Sequence, residues 1–275
     1  MIAILHAIIL GIIEGLTEFL PISSTGHLIV AEHFIGFKDA AQTFTVIVQI
    51  GAIAAIAWYY RKDLIKKLGQ LFKGEASAKK FWMNLVIATI PAGLFGLALS
   101  KTLEKYALPA TVAISLIIGG IILLIAEMRF SRHAVSSKLQ LEDISPKQAL
   151  GIGFAQVVSL VPGVSRSGAT IVGGMFAGLN RITAATFSFY MSIPILGLAS
   201  LYKLVKDRHE IAHLAGGSAA LLFGTIASFI SALLVVSWLL KYITNHNFKP
   251  FGYYRIVFGI LLLVLIATSS LSNSL

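Results

Sequence analysis

Six stretches of this chain, at 43–60, 81–100, 108–128, 183–202, 214–240 and 252–267, are each apolar over nearly the length a helix needs to cross a bilayer. About 20 predominantly apolar residues suffice for that crossing. With 57% hydrophobic and only 12% charged residues among 275, the chain lies outside the soluble globular range. The expected fold is all-α and polytopic, a single integral membrane domain without a linker between soluble units. The connections are short and rich in Lys and Arg; residues 61–80 form the longest expected basic loop and 129–147 the next. A net charge of +10 would suggest nucleic acid in a soluble protein. Here the cations fall mostly between spans, where they set topology and meet lipid headgroups, so no nucleic-acid partner is expected. The absence of cysteine excludes disulfides, thiolate metal sites and thiol nucleophiles. The apolar start lacks a basic segment before it and a small-residue cleavage site, so no removable signal peptide is expected.

Two further apolar regions, 2–37 and 146–179, are interrupted by P-I-S-S-T-G and by P-G-V-S-R-S-G. Each half is too short to span, so each region is expected to enter and return as a re-entrant helix hairpin. Irregular backbone at membrane depth persists only where protein or a water-filled cavity surrounds it. Two such hairpins imply a polar cavity.

The two regions also match each other. At an offset of 142, Gly11 falls on Gly153, Glu14 on Gln156, Thr17 on Ser159, Ser23 on Ser165, Thr25 on Ser167 and Gly26 on Gly168. One residue further, Ala41, Thr43, Phe44, Thr45 and Ile50 fall on Ala184, Thr186, Phe187, Ser188 and Ile193. Two repeats are therefore expected, approximately 1–135 and 143–275, each a hairpin plus three spans. Three crossings are an odd number, so the second copy enters from the opposite side, as an inverted-topology repeat whose broken elements mark a midplane site. One face then holds Lys38, Lys101, Lys105, Lys203, Lys206 and Arg208, while the other holds the remaining cations apart from Arg166. By the positive-inside rule both termini face outward, the first hairpin enters from outside and the site opens outward.

Ionisable groups at depth are costly and mark function by default. Glu14 and Glu18, four apart, share a helix face. They can hold Mg²⁺ or Ca²⁺, or one can act as a base while the other stays ionised. Pro21 ends the first half-helix, and Ser23, Ser24 and Thr25 begin the second, more hydroxyls than a cap requires. His27 follows Ser24 by three residues, within expected reach to take the hydroxyl proton and make Ser24 a nucleophile. In the second turn Arg166 stands between Ser165 and Ser167. Its planar fork of donors suits phosphate, and glycines such as Gly26 and Gly168 let N–H groups close in at a helix N-terminus. Gln49 is a minor cavity-lining candidate. His33, His133, His209, His213 and His246 are expected to be solvated, Trp58, Tyr59, Tyr60, Trp82, Tyr253 and Tyr254 to form an interfacial belt, and Pro91 and Pro194 to kink their helices.

Taken together, E-G-L-T-E-F-L-P-I-S-S-T-G-H at 14–27 and P-G-V-S-R-S-G-A-T from 162 resemble the two signature motifs of the bacterial undecaprenyl-diphosphate phosphatase family, also called bacitracin-resistance proteins. The resemblance covers essentially the whole chain. It implies hydrolysis of a C55 polyprenyl diphosphate to the monophosphate and inorganic phosphate, recycling the carrier for cell-wall polymers in the bacterial plasma membrane. It also implies that Glu14, Glu18, Ser24, His27 and Arg166 are essential, with Ser23, Thr25, Ser165 and Ser167 contacting phosphate. Divalent-metal dependence and interlocked inverted repeats follow from the same likeness. The expected partners are the lipid substrate, membrane lipids and a second copy of the chain in a homodimer. In the expected mechanism Ser24, activated by His27 or a glutamate, attacks phosphorus, with direct water attack as the variant. The alternative is a transporter or flippase for a polyprenyl phosphate, built around the same midplane site.

Overall fold

A computed structural model of the chain describes residues 2–37, 39, 43–106, 108–131, 140–207 and 216–271. Lys38, Ala41, His133, Arg208, His209 and His213, and the first residues of the span expected at 214–240, lie outside them. Eleven α-helices and one short 3₁₀ turn make up the described fold: α1 (Ile2–Thr17), α2 (Ser24–Ile35), α3 (Thr43–Tyr59), α4 (Arg61–Phe72), α5 (Ala76–Lys105), α6 (Pro109–Ser131), the 3₁₀ turn Leu141–Asp143, α7 (Pro146–Val158), α8 (Arg166–Phe176), α9 (Arg181–Lys206), α10 (Gly217–Asn245) and α11 (Lys249–Ala267). Helices α5, α6, α9, α10 and α11 are each long and apolar enough to cross a membrane. The sixth expected span, α3, reaches that standard only together with α4, from which it is bent by 69°.

Residues 61–72 are therefore a helix rather than the expected loop. Leu64, Ile65, Leu68, Leu71 and Phe72 recur at helical spacing among lysines, the pattern of a helix lying in the interface. Its inner face is tethered by Lys67, buried and hydrogen-bonded to Glu142 of the 3₁₀ turn.

Both interrupted regions form helix–turn–helix hairpins, α1 with α2 and α7 with α8. The second starts on a reciprocal cap, in which the Ser145 hydroxyl accepts from the Gln148 N–H while the Gln148 side chain accepts from the Ser145 N–H. The two hairpins share an unusual pivot. Ser23 precedes α2 at φ 71° and ψ 102°, and Ser165 precedes α8 at φ 70° and ψ 115°. Non-glycine residues held at positive φ cost about 1–3 kcal/mol each and gather at functional sites.

Element order runs in parallel in the two halves: a hairpin, then α3, α5 and α6 in the first, and a hairpin, then α9, α10 and α11 in the second, with α4 as an addition. Packing crosses between them. α1 lies chiefly on α10 and α7 on α5, while α3 meets α9 and α6 meets α11. The first helix of each hairpin thus packs on the opposite half, while α8 lies chiefly on α9 of its own half. The α1 face that meets α10 carries Ala7, Leu10, Gly11, Glu14 and Gly15, one stripe at helical spacing, and small residues there let backbones approach as membrane helices require. A Cβ on Gly11 would stand 2.2 Å from the Gly224 carbonyl oxygen, which is backbone and cannot swing away. Gly11→Ala is expected to destabilise the fold by about 1–3 kcal/mol, the usual cost of overpacking, read as a lower thermal midpoint in detergent. An unchanged midpoint would refute this tight contact.

The largest buried cluster lies between the halves and includes Phe19, Phe81, Phe187, Phe189 and Tyr190. Phe19 meets Phe189 edge-on at 5.3 Å, which fixes the residue next to Glu18 against α9.

Candidate active site

The ends of α1 and α7 and the starts of α2 and α8 converge, so the two turns face each other across a cavity of about 210 Å³. Glu18, Ser23, Ser24 and Thr25 line it from the first turn, Ser165 and Arg166 from the second, and Gln49 from α3. A second cavity of about 100 Å³ adjoins it, sharing Ser24, Thr25 and Gln49 and adding Glu14, Glu32 and Thr45. Ser24 lies at the junction.

Glu18 is the hub. One carboxylate oxygen accepts from Ser24 Oγ at 2.7 Å and the other from Arg166 Nη2 at 3.0 Å. Both charged partners are buried, so the pair depends on this geometry; the loss of one would leave the other uncompensated. Arg166 is further held by donation from Nη1 to the Ser188 carbonyl at 3.1 Å and lies 5.6 Å from the Phe19 ring. Among the described residues its Nε has no partner, which leaves one donor of the fork uncommitted.

Ser23 is the N-cap of α2 but makes no side-chain cap bond, so the first N–H groups of that helix lack a side-chain acceptor where the cavity begins. Free N–H groups at a helix start attract anions. At the start of α8 the same donors are used internally: Ser165 Oγ accepts from the Gly168 N–H at 3.1 Å. The Ser167 hydroxyl donates to the Leu20 carbonyl at 2.8 Å and lies 3.1 Å from Ser165 Oγ, tying one turn to the other. Among the residues expected to contact phosphate, Ser23, Thr25 and Ser165 line the cavity. Ser167, Gly168 and Gly26 do not. Ser167 is spent on the bond between turns, Gly168 N–H on the cap, and Gly26 lies beneath Leu116 and Val112.

Neither ring nitrogen of His27 bonds to Ser24. Its Nδ1 contacts the Ser23 carbonyl at 2.7 Å, and its Nε2 contacts the Tyr254 hydroxyl at 2.6 Å. A carbonyl only accepts, so Nδ1 carries the proton and, in the neutral ring, Nε2 accepts from Tyr254. The ring also stacks on Phe258 at 4.4 Å. The carbonyl four residues back and the Tyr254 hydroxyl of α11 engage both ring nitrogens of His27, and the Ser24 hydroxyl hydrogen-bonds to Glu18 instead. Tyr254 is correspondingly part of the site's support rather than only an interfacial residue.

Glu14 is buried at 1% exposure, and among the described residues neither carboxylate oxygen has a hydrogen-bond partner. Gln49 lies beside it, short of hydrogen-bond geometry, and Gln156, its expected counterpart in the other hairpin, is likewise buried and unpartnered. Among the described residues no three His, Asp or Glu side chains form a metal cluster. A hard divalent ion needs no such cluster when it is held by one or two carboxylates plus substrate phosphates. The orphaned Glu14 oxygens one helical turn from Glu18 fit that donor set.

Arg255, counted among the basic residues of one membrane face, lies buried behind the two turns instead. It is fully buried in α11 and donates to the carbonyls of Pro21 and of Gly163 and Val164, one in the first turn and two in the second. Its signal was its position, a lone charge inside the span expected at 252–267.

Residues 7–261 match the family model described as "Bacitracin resistance protein BacA". The chain is similar to undecaprenyl-diphosphatase 1 of Burkholderia cenocepacia (strain HI2424), 46% identical over 266 residues, which cover 96% of this chain and 95% of that one. It is also similar to the undecaprenyl-diphosphatase of Nitrosospira multiformis, 46% identical over 263 residues, 95% and 94% of the two chains. The undecaprenyl-diphosphatase of Nitrosomonas europaea matches equally, at 46% over 263 residues, with 95% and 94% covered. With nearly its whole length matched, and both motifs meeting at one buried cavity, the chain belongs to the bacitracin resistance protein BacA family.

Proposed function

We infer that this protein is an undecaprenyl-diphosphate phosphatase, hydrolysing the C55 polyprenyl diphosphate to the monophosphate and inorganic phosphate. This recycles the carrier lipid of cell-wall synthesis and confers bacitracin resistance. One observation carries the chemistry: a single carboxylate, Glu18, grips a serine hydroxyl with one oxygen and an arginine with the other, inside a cavity bordered by the capless start of α2. Base, nucleophile and anion-binding groups are the parts that phosphoryl transfer needs.

In the proposed mechanism the diphosphate lies between the turns, with Arg166 and the first N–H groups of α2 on its terminal phosphate oxygens. Arg166 exchanges part of its contact with Glu18 for phosphate, and its unpartnered Nε provides a ready donor. Glu18 takes the Ser24 proton as Oγ bonds to the terminal phosphorus and the bond to the bridging oxygen breaks, releasing the lipid monophosphate. Water then attacks the phosphoserine, giving phosphate and regenerating the hydroxyl. A divalent cation, Mg²⁺ or Ca²⁺, held by Glu14 and Glu18 would supply charge neutralisation at the diphosphate. His27 orients the α2 start through the Ser23 carbonyl. The prenyl tail leaves sideways among the helices.

Inverted-topology repeats, outward termini and an outward mouth belong to the same proposal. The crossed packing of each hairpin's first helix on the opposite half supports the first. The cation bias supports the others, because moving Arg255 out of the count leaves the two faces strongly unequal. Purified protein in detergent, given the lipid diphosphate and Mg²⁺, is expected to release inorganic phosphate. In oriented vesicles, release is expected only with substrate on the outer leaflet, and cross-linking there reads the homodimer. Folded protein that moves the lipid between leaflets yet releases no phosphate would favour the transporter instead.

A further inference from the structure

The geometry points to Arg255 as the positioning residue that locks the two catalytic turns in register, a role that rests on the phosphatase activity proposed above. Its guanidinium faces five main-chain carbonyls: Nε donates to Leu116 at 3.3 Å, Nη1 to Pro21 at 3.3 Å, and the two N–H groups of Nη2 are shared among Ser115 at 3.2 Å, Gly163 at 3.3 Å and Val164 at 3.0 Å. Among the described residues it forms no ion pair. Three of the acceptors sit in the two turns, outside any helix. Unladdered carbonyls at membrane depth lack water and require a donor from the protein. Arginine alone offers five N–H groups in a rigid fork with no acceptor of its own; an ammonium is a single point that cannot reach both turns.

The surroundings are cut to admit it. A Cβ on Gly119 would lie 2.1 Å from Nη2, and one on Gly168 would lie 2.9 Å from Nη1. Gly168 of the second motif is thereby explained by the guanidinium behind it, its N–H already being taken by Ser165. Pro21 is three residues before Ser24, and Val164 is two before Arg166. One side chain therefore spans from the segment that carries the nucleophile to the segment that carries the phosphate-binding cation. Arg255 does not line either cavity, so it acts through the turns and does not touch substrate.

The test uses Arg255→Lys, which keeps the charge but loses the fork, and Gly119→Ala, which displaces the fork without removing it. Both are expected to fold, to lower kcat about 100-fold, the scale of an ångström-sized misplacement, and to leave KM within about threefold. The chain has no cysteine, so a nitroxide on Val161→Cys reads the second turn directly. Its spectrum is expected to show greater mobility in either variant, whether or not phosphate is released. If native protein releases no phosphate, the proposed activity fails while the spectrum still decides the role of Arg255. Folded variants with native kcat and native spectra overturn the proposal. A rise in KM alone would make Arg255 a substrate ligand, and failure of both variants to fold would make it a folding element; either result also overturns it.

Discussion

Arg166→Ala is expected to reduce phosphate release by about 10³-fold or more, the scale on which a transition-state arginine acts in phosphoryl transfer. Arg166 begins α8 and reaches across to Glu18 in the other hairpin. Among the described residues it is the only guanidinium that lines the cavity. Its removal acts twice. The transferring phosphoryl group loses its fixed cation, and Glu18, 6% exposed, keeps a buried charge without its ion-pair partner. The second effect predicts a lower unfolding midpoint alongside the lost activity. Arg166→Lys separates the two: it restores charge, and with it most of the stability, but offers no planar fork, so activity is expected to stay at least ~100-fold below native. Phosphate release and thermal unfolding on the same purified samples check both. A folded Arg166→Ala protein within tenfold of native activity would remove Arg166 from the mechanism.

How much of this was legible in the sequence depends on whether a residue's role is set locally or across the fold. Long apolar runs announce spans, and short ones broken by P-I-S-S-T-G and P-G-V-S-R-S-G announce hairpins, because bilayer thickness and backbone satisfaction leave few other solutions. Glu18 and Arg166 stood out because charge at depth is expensive, and Ser24 because three hydroxyls exceed what a cap requires; the structure brings these three together. α4 was missed because a basic segment between spans looks like a loop unless its apolar period is followed through Leu64, Leu68 and Leu71. Spacing along α2 puts His27 near Ser24 but is blind to its bonded partners, the Ser23 carbonyl and Tyr254 of a helix 227 residues away. Ser167 and Gly168 look like a phosphate cradle in isolation, yet Leu20, Ser165 and Arg255 claim them. Arg255 itself sits next to two tyrosines at the start of a span, where cations commonly mark the interface. Only its partners in both turns reveal what it does.

Ser24→Ala carries the other large expected effect, a fall in phosphate release of about 10⁴- to 10⁶-fold, as when an attacking hydroxyl is deleted from a serine-type site. The hydroxyl is half-buried at the junction of the two cavities, begins α2, and donates at 2.7 Å to a carboxylate that Arg166 holds in place. A hydroxyl bonded this way has its proton acceptor fixed before substrate arrives, which favours attack over mere ligation. The two roles diverge in a quenched reaction with lipid labelled in the terminal phosphate. Attack by Ser24 is expected to place label on that residue within the first turnover, and Ser24→Ala to carry none. Glu18→Gln should slow labelling and release together, since it removes the acceptor for the Ser24 proton and loosens Arg166 at once. Native protein that turns over without ever labelling Ser24, together with a Ser24→Ala protein that loses only about tenfold, would instead assign the attack to water. Ser24 would then be one more donor to phosphate, a role worth about 1.5–3 kcal/mol for a hydrogen bond to a charged group, and Glu18 would remain the base with a different proton to take.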